Sequence, residues 1–399
     1  MFPRELKPLT SGSNIVKNQP GNAPKWFSLR VLLGFAVGVF FLYLTFWKPN
    51  LSGLFHGRIG IIDAFFGTSR IQLSELAQVL KKARYIYLLP AIIMFLVSFQ
   101  VRAYRWKLFL LPVAGERGIR FGVVYSAMMI GYMVNNVLPL RMGEIYRAYS
   151  LGKERKLSRS SIFATIVVER VFDILCLLLI LGIILLLFPF PHWIKQSSLI
   201  TFIGTVALIV LLVVMIVKTD QLVRFIRIIF GLLGKRGRGW AEKTEYITRQ
   251  FAQGLQVFRP ETSGKHYVMV IVTSVLLWVF YLGCVYCMFY TFDLISPMFP
   301  GIQRSPIMAS LVILAVGTIA ITVPSTPGAV GTYHGVVVLG LTLFGVPPEQ
   351  GMGFALVMHL FNYLPLTFIG LYCFWRQNLR FADIAAEQEL EPMNMSRPE

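Results

Sequence analysis

The sequence predicts an all-α polytopic membrane protein, and three observations carry that prediction. Apolar residues fill 56% of the 399 positions, and the mean hydropathy is +0.65. Charged residues make up only 14%, whereas soluble domains carry about 25%. The apolar residues also gather in runs of about 20, the length of a helix that crosses a bilayer. Lipid is therefore the expected surrounding of most of the chain.

The apolar runs define about seven or eight hydrophobic segments. They cover residues 29–47, 85–100, 119–138, 161–188, 199–217, 267–290, 307–323 and 351–374, with a shorter run at 335–346. The integral membrane domain is accordingly predicted over 28–375. The polar, proline-containing segment 1–27 is predicted to be a disordered cytoplasmic tail, and 376–399 a second cytoplasmic tail.

The basic residues orient these segments. Short loops rich in Lys and Arg stay in the cytoplasm; segment 218–266 carries ten such residues, whereas 189–198 and 291–306 carry one each. We therefore expect a bacterial cytoplasmic (inner) membrane protein with both termini in the cytoplasm. Segment 218–266 forms either an amphipathic hairpin on the membrane surface or an ordinary solvated loop. The formal charge of +19 indicates topology and anionic lipid headgroups, not nucleic acid.

One conflict in the charges predicts a re-entrant hairpin. Segments 101–120 and 139–160 are both strongly basic, so both belong in the cytoplasm. The run 119–138 between them cannot then cross the bilayer an odd number of times. We interpret it as a helical hairpin that enters from the cytoplasm and returns at "NNVLP". Such backbone is tolerated where it is buried in protein or lines a cavity.

A second break lies in "PSTPGAVGTYHG", residues 324–335, and resembles the first in its spacing. Pro139 and Gly143 are four apart, as are Pro327 and Gly331. The charges place the entry of the second hairpin on the outside. Two broken elements that enter from opposite faces suggest an inverted repeat, and in transporters such breaks mark a site near the bilayer midplane.

Three charged residues lie inside the apolar run "IFATIVVERVFDILCLLLILGIILLLF": Glu169, Arg170 and Asp173. A charge at the bilayer centre costs about 2.5–3.5 kcal/mol on insertion scales. Arg170 and Asp173 are three apart and can pair on one helix face. Glu169 and Asp173 are four apart, so two carboxylates share a face and one needs a cation from another segment. Arg141 and Arg147 are the expected suppliers.

Arg141, Glu144 and Arg147 are spaced at i, i+3 and i+6 and could form one polar face beside those charges. Asn135 and Asn136 can satisfy the backbone groups that the break frees. Two interpretations stay open: a buried ion-pair network that only locks two helices, or a cavity that admits a headgroup phosphate. The candidate substrate-binding residues are Asn135, Asn136, Arg141, Glu144, Arg147, Glu169, Arg170, Asp173 and His334.

The remaining polar residues carry weaker signals. Arg102 and Arg105 either reach the inner membrane interface or contact a lipid phosphate. His334 and His359 serve either as hydrogen-bonding groups between helices or as proton carriers. The four cysteines all lie in apolar runs, which argues against disulfides and zinc. No catalytic motif is present, so we predict no catalytic residue, metal or cofactor, and no enzyme.

The motifs "NNVLPLRMGE", "ERVFD" and "PSTPGAVG" resemble the lysylphosphatidylglycerol synthase transmembrane-region family over 30–375. That family is similar to the flippase-like N-terminal half of the bacterial multiple peptide resistance factor. The resemblance implies a membrane half that translocates lipid and contains two re-entrant hairpins. The positions that match are Asn135, Asn136, Pro139, Arg141, Gly143, Glu144, Glu169, Arg170, Asp173, Pro324, Pro327, Gly328 and Gly331.

Full synthases of this family add a soluble transferase lobe, which this sequence lacks, so we expect no lysylphosphatidylglycerol synthesis by this chain. Two positions depart from the pattern: Ala329 stands where many members have glycine, and His334 where many have an acid. A titratable imidazole there could change the preferred lipid or make transport sensitive to pH.

The predicted function is flippase-like translocation of a phospholipid or a polyisoprenoid-linked lipid. The alternatives are the membrane subunit of a lipid-headgroup transferase, which makes an aminoacyl-lipid or a glycolipid, and a scaffold that recruits such an enzyme. The expected partners are membrane lipids with anionic headgroups and a soluble or membrane lipid-modifying enzyme.

Overall fold

The computed structural model describes residues 25–50, 52, 60–67, 69–115, 118–137, 142–155, 157–187, 264–322 and 327–377, with isolated positions between 203 and 228. Within these residues the secondary structure is helical, and strand pairing is limited to one isolated bridge between Trp47 and Ser69. The predicted all-α membrane fold is therefore confirmed.

Twelve α-helices are formed by the described residues. They are α1 (Lys25–Phe46), α2 (Ile61–Phe66), α3 (Leu73–Lys82), α4 (Leu88–Ala114), α5 (Phe121–Val137), α6 (Met142–Arg155), α7 (Arg159–Leu187), α8 (Gly264–Thr291), α9 (Pro300–Arg304), α10 (Pro306–Thr322), α11 (Thr332–Thr342) and α12 (Pro348–Arg376). Each predicted apolar run within the described residues forms a helix. The run at 199–217 and the basic segment 218–266 lie outside the described residues, apart from isolated positions and the start of α8, as do nearly all of both tails.

Three helical stretches among the described residues are long and apolar enough to cross a bilayer: Tyr85–Ala114, Gly264–Thr291 and Pro348–Arg376. They consist of α4 with the 3₁₀ turn before it, α8 and α12. At a rise of 1.5 Å per residue, about 20 residues already cross the hydrocarbon core. Helix α4 also runs 14 residues beyond the predicted end of its apolar segment at 100. Arg102 and Arg105 therefore lie inside this helix, and both are buried.

Helices α5 and α6 form the first of two broken pairs and cross at small residues. A Cβ on Gly143 would lie 2.7 Å from Asn135 Oδ1 and closer still to the carbonyl oxygen of Gly131. Only glycine allows this approach, in the way that small residues do between membrane helices. Asn135 Oδ1 accepts a hydrogen bond from the Gly143 amide at 2.7 Å. The predicted break therefore lies between two helices, and its re-entry from the cytoplasm stays a prediction.

Helices α10 and α11 form the second broken pair, with the 3₁₀ turn Pro327–Ala329 between them. Gly328 and Gly331 have φ values of 66° and 93°, in the left-handed region where glycine carries no penalty. Ala329 also has a positive φ, 57°, at the position where the resemblance expects glycine. Pro139, Arg141 and Pro324, which were also predicted to shape the breaks and the site, lie outside the described residues.

The two breaks lie against the same residue of α12. Tyr363 donates a hydrogen bond from its hydroxyl to the Asn136 carbonyl at 3.1 Å. A Cβ on Gly328 would lie 2.6 Å from Cε2 of that tyrosine ring. Asn136 Nδ2 also donates to Thr367 Oγ1 at 2.9 Å. Helix α12 therefore joins the end of α5 to the turn before α11.

Candidate functional site

A buried cluster of charges joins helices α4, α6 and α7. Its described residues include four arginines and three carboxylates, which leaves one positive charge in excess. Its members are Arg102, Arg105, Glu144, Arg147, Glu169, Arg170 and Asp173. We call this group the charge cluster.

Glu169 lies at the centre of the charge cluster and is fully buried. Its Oε1 accepts a hydrogen bond from Arg102 Nε at 2.9 Å, and its Oε2 accepts one from Arg147 Nη2 at 2.8 Å. Arg170 Nη2 lies 3.7 Å from Oε1. A carboxylate buried without such partners would be strongly unfavourable, so these cations are what allow Glu169 to lie inside the helix bundle.

Asp173, one helical turn further along α7, is bound by three arginines. Arg102 pairs with its Oδ2, and Arg105 Nη2 donates to its Oδ1 at 2.5 Å. Arg170 Nη1 lies 3.4 Å from Oδ2. The two carboxylates, one turn apart on α7, therefore both lie against the same face of α4.

Helix α8 supplies uncharged acceptors to the two arginines of α4. Arg102 Nη1 donates to the Tyr281 hydroxyl at 2.8 Å, and Arg105 Nη1 donates to Ser274 Oγ at 3.2 Å. Each guanidinium carries five N–H donors, so carboxylates alone do not satisfy them. The tyrosine and the serine therefore satisfy donors that the carboxylates leave free, while Arg105 Nε has no hydrogen-bond partner among the described residues.

Arg147 is held by packing as well as by charge. Its guanidinium lies over the Trp106 ring, 4.0 Å from the centroid, a cation–π arrangement. Trp106 Nε1 in turn donates to Thr165 Oγ1 at 3.1 Å. A Cβ on Gly131 would lie 2.7 Å from Cδ of Arg147, so the close crossing of α5 and α6 also leaves room for this side chain.

Arg170 differs from the other three arginines because part of its side chain is accessible. The exposed fraction of its side chain is 30%, against 10% for Arg102, 2% for Arg147 and 0% for Arg105. Its Nε lies 3.7 Å from Glu144 Oε1 but has no hydrogen-bond partner among the described residues. The charge cluster is thus closed around Glu169 and open at Arg170.

The structure brings together five of the predicted site residues: Glu144, Arg147, Glu169, Arg170 and Asp173. Asn135 and Asn136 make the hydrogen bonds at the first break described above, as their position before the break led us to expect. His334 does not join the charge cluster and lies beside His359 at the second break. Arg141 lies outside the described residues.

Sequence reasoning left Arg102 and Arg105 out of the site, because it ended their helix at residue 100. They are the main cations of Asp173. The sequence predicted that Arg141 and Arg147 would supply a cation to one of the two carboxylates, and Arg147 does so at Glu169. One signal could have revealed them: the apolar stretch "LFLLPVA" continues after both arginines, so the helix passes through them and does not end there. An arginine in mid-helix needs a carboxylate, and one of the two carboxylates on α7 was already known to need a cation from another helix.

The second polar group of the bundle is made of aromatic and imidazole rings. The rings of His334 and His359 stack at a centroid distance of 4.8 Å and an angle of 20°. His359 stacks in turn on Tyr363 at 5.7 Å, and the Tyr333 ring meets it edge-on at 5.3 Å. His334 Nδ1 accepts a hydrogen bond from the Gly331 amide at 3.3 Å. These rings connect the second break to Tyr363, and hence to the first.

Fold and site together define an integral membrane protein of the α-helical class, with a charge cluster inside its helix bundle. Residues 31–370 match the family described as "Lysylphosphatidylglycerol synthase TM region". The chain belongs to that family.

Three curated proteins resemble the chain over about three quarters of its length. The "UPF0104 membrane protein" of Methanothermobacter thermautotrophicus is 25% identical over 308 residues, which cover 74% of this chain and 87% of that protein. The "UPF0104 membrane protein MJ1595" of Methanocaldococcus jannaschii is 23% identical over 312 residues, 75% of this chain and 87% of that protein. "Glycosyltransferase AglD" of Haloferax volcanii is 24% identical over 323 residues, 73% of this chain but 49% of that protein. No solved structure matches.

Proposed function

We propose that the protein translocates a lipid, a phospholipid or a polyisoprenoid-linked lipid, across the cytoplasmic membrane, with both of its termini in the cytoplasm. The observation that carries this proposal is the charge cluster with its positive excess and its opening at Arg170. Family membership supports an association with lipid, since the family is described as the membrane region of a lipid synthase.

The excess charge favours an anionic headgroup. An arginine guanidinium matches the geometry of phosphate and binds it through charge-assisted hydrogen bonds. A phosphodiester with one negative charge would neutralise the charge cluster, and Arg170 is the arginine of the cluster with the most accessible side chain. In this mechanism Arg170 contacts the phosphate, while the acyl tails stay in the surrounding lipid.

The two interpretations left open by the sequence then apply to different parts of the charge cluster. Arg105, Arg147 and Glu169 are closed off from solvent and lock α4, α6 and α7 together. Arg170, Glu144 and Asp173 retain accessible side-chain surface and face the opening. A lock alone could have been built from apolar side chains, which are often equally stable or more so. The charge cluster is therefore better explained by a ligand with charge of its own.

The experiment compares wild type with Arg170→Ala in liposomes that contain fluorescent phospholipid. Dithionite quenches only the outer leaflet, so quenching of the inner pool reports translocation. A lost charge-assisted hydrogen bond is worth about 1.5–3 kcal/mol, so the variant should translocate about 10- to 100-fold more slowly.

Arg84→Ala is the matched control. Arg84 also pairs with a carboxylate, Asp293 at 3.6 Å, but both side chains are mostly exposed. This variant should translocate at the wild-type rate. Wild-type rates in a folded, monodisperse Arg170→Ala protein, or no translocation by wild type of any phospholipid or polyisoprenoid-linked lipid, would refute the proposal.

The alternative is the membrane half of a lipid-headgroup transferase, or a scaffold for one. The match to "Glycosyltransferase AglD" favours it, because this chain corresponds to only about half of that protein. A lipid-modifying enzyme as a separate partner would then complete the activity. Headgroup transfer that needs both this chain and a co-purified soluble enzyme, without lipid translocation by this chain alone, would support the alternative.

A further inference from the structure

The stacked imidazoles of His334 and His359 lie in the second break, away from the charge cluster, and the translocation mechanism above makes no use of them. His334 is buried on α11, whereas His359 on α12 is half-buried. The pair is enclosed by the rings of Tyr333 and Tyr363. It is therefore a cluster of titratable groups in an apolar setting with one accessible member.

We propose that His334 and His359 form a site that binds a single proton and that this proton changes the conformation of the second break. The proposal rests on the proposed function in one respect: in a translocating protein, the site would couple lipid movement to protons.

The hydrogen bond from Gly331 determines how His334 responds to a proton. Because Nδ1 accepts from the Gly331 amide, the neutral ring carries its own hydrogen on Nε2. A second proton can only bind at Nδ1, and a protonated Nδ1 cannot accept. The Gly331 amide would then lose its acceptor at a residue whose φ of 93° already sets the turn. Protonation of His334 and the present form of the break therefore exclude each other.

The surroundings of the pair favour one proton and no more. Two charged imidazoles stacked 4.8 Å apart would repel strongly where water is scarce. The two rings therefore compete for one proton, and only a proton on His334 removes the acceptor of the Gly331 amide.

Among the described residues, no carboxylate or further cation pairs with either histidine. Along their described side chains, α1, α5, α10 and α11 contain no Asp, Glu, Lys or Arg. Helix α12 has Glu349 and Arg376 only at its ends, about 15 Å and about 26 Å along the helix from His359. The titratable groups of these five helices are otherwise Tyr43, Tyr125, Tyr132, Tyr333, Tyr363 and Tyr372, with Cys373.

Helix α12 also packs on α3, which carries Glu75, Lys81 and Lys82, but it meets α3 at Gly353, about 9 Å along α12 from His359. Helix α8 meets α12 at Phe354, and its Lys265 and His266 lie at the opposite end of α8.

Tyr363 connects the histidine pair to both breaks. Tyr363 stacks on His359, contacts Gly328 in the second break, and donates to the Asn136 carbonyl at the first. A shift of the histidine pair therefore reaches both breaks through one side chain. A proton at the second break could therefore also alter the conformation of the first break.

The test measures amide hydrogen exchange of the peptide that contains Gly331 in the purified full-length protein, between about pH 3.5 and about pH 8, because burial lowers the pH at which an imidazole takes up a proton. After correction for intrinsic exchange, the Gly331 amide should exchange about three- to tenfold faster at the acidic end, the ratio that one lost hydrogen bond is worth. His266→Gln, which removes a histidine at the start of α8, should keep this dependence.

His359→Phe and His334→Gln complete the test. The phenylalanine keeps a ring in the stack and removes the imidazole that competes for the proton, so the pH dependence should persist and be at least as large as in wild type. His334→Gln should abolish it. Exchange that is independent of pH in wild type, a dependence that persists in His334→Gln, or a dependence that is lost in His359→Phe would overturn the proposal. A dependence in wild type together with no lipid translocation would uphold the proton site and refute the proposed function.

Discussion

Glu169→Gln is the sharpest test of the lock inside the charge cluster. The substitution keeps the shape of the side chain but removes the charge that Arg102 and Arg147 bind at 2.9 Å and 2.8 Å. The positive excess of the charge cluster rises from one to two, with no water at hand because Glu169 is fully buried. Removal of one partner of a buried pair costs about 3–5 kcal/mol. At about 2 °C per kcal/mol, the melting temperature should fall by about 6–10 °C.

The assay is thermal unfolding of the purified protein in detergent, followed by tryptophan fluorescence. Glu144→Gln is the matched control, because this carboxylate has one ion-pair contact among the described residues, to Arg170 at 3.7 Å, and keeps 16% of its side chain exposed. Partly exposed ion pairs are worth about 0–1 kcal/mol, so this variant should melt within about 2 °C of wild type. Equal melting temperatures for the two variants would refute the division into a closed lock and an open face.

Three further predictions concern the crossing of α5 and α6, the membrane topology and the hydrogen bond between Arg102 and Tyr281. Gly143→Ala should destabilise the protein by about 1–3 kcal/mol because its Cβ has no room, whereas Gly122→Ala, with nothing within 4 Å, should be neutral or slightly stabilising in the same melting assay. In a cysteine-free background, a membrane-impermeant maleimide should label Met298→Cys in intact cells, but Lys153→Cys only after permeabilisation. Tyr281→Phe should cost about 1.5–3 kcal/mol, since its hydroxyl accepts from a buried guanidinium.

Each of these has an outcome that contradicts it. Equal stability of the two alanine variants would show that the crossing of α5 and α6 can accommodate a Cβ at residue 143. Labelling of both cysteines in intact cells would place residues 139–160 outside and remove the reason for a re-entrant first hairpin. Wild-type stability of Tyr281→Phe would mean that water or another acceptor replaces the hydroxyl.

The helices were predictable because their signal is local. A run of apolar residues about 20 long has to satisfy its backbone internally once it enters lipid, whatever surrounds it. The breaks were predictable for the same reason, since proline and closely spaced glycines interrupt a helix wherever they occur. The structure of segment 101–120 was harder to predict, because its basic residues are typical of a cytoplasmic loop as long as the carboxylates that pair with them are not known.

The composition of the charge cluster was only partly predictable. The spacing within "ERVFD" shows that two carboxylates share a face of α7 and that one needs an outside cation. It does not show which cation, because Arg102 lies 67 residues from Glu169 and 71 from Asp173. Any basic residue on another helix satisfied the sequence argument equally well.

By itself, the sequence determined the solvent of the chain, its helices, the places where they break and the need for buried charges to find partners. Those properties depend on residue type and on the helical period, which act over a few turns. Only the tertiary structure decided that Arg102 and Arg105 meet the carboxylates of α7, that Arg170 keeps an open side and that His334 faces His359. These pairings depend on how the helices cross, and the crossings are set by contacts such as that between Gly131 and Gly143. The spacing of two residues along the chain does not reveal whether they meet in this way.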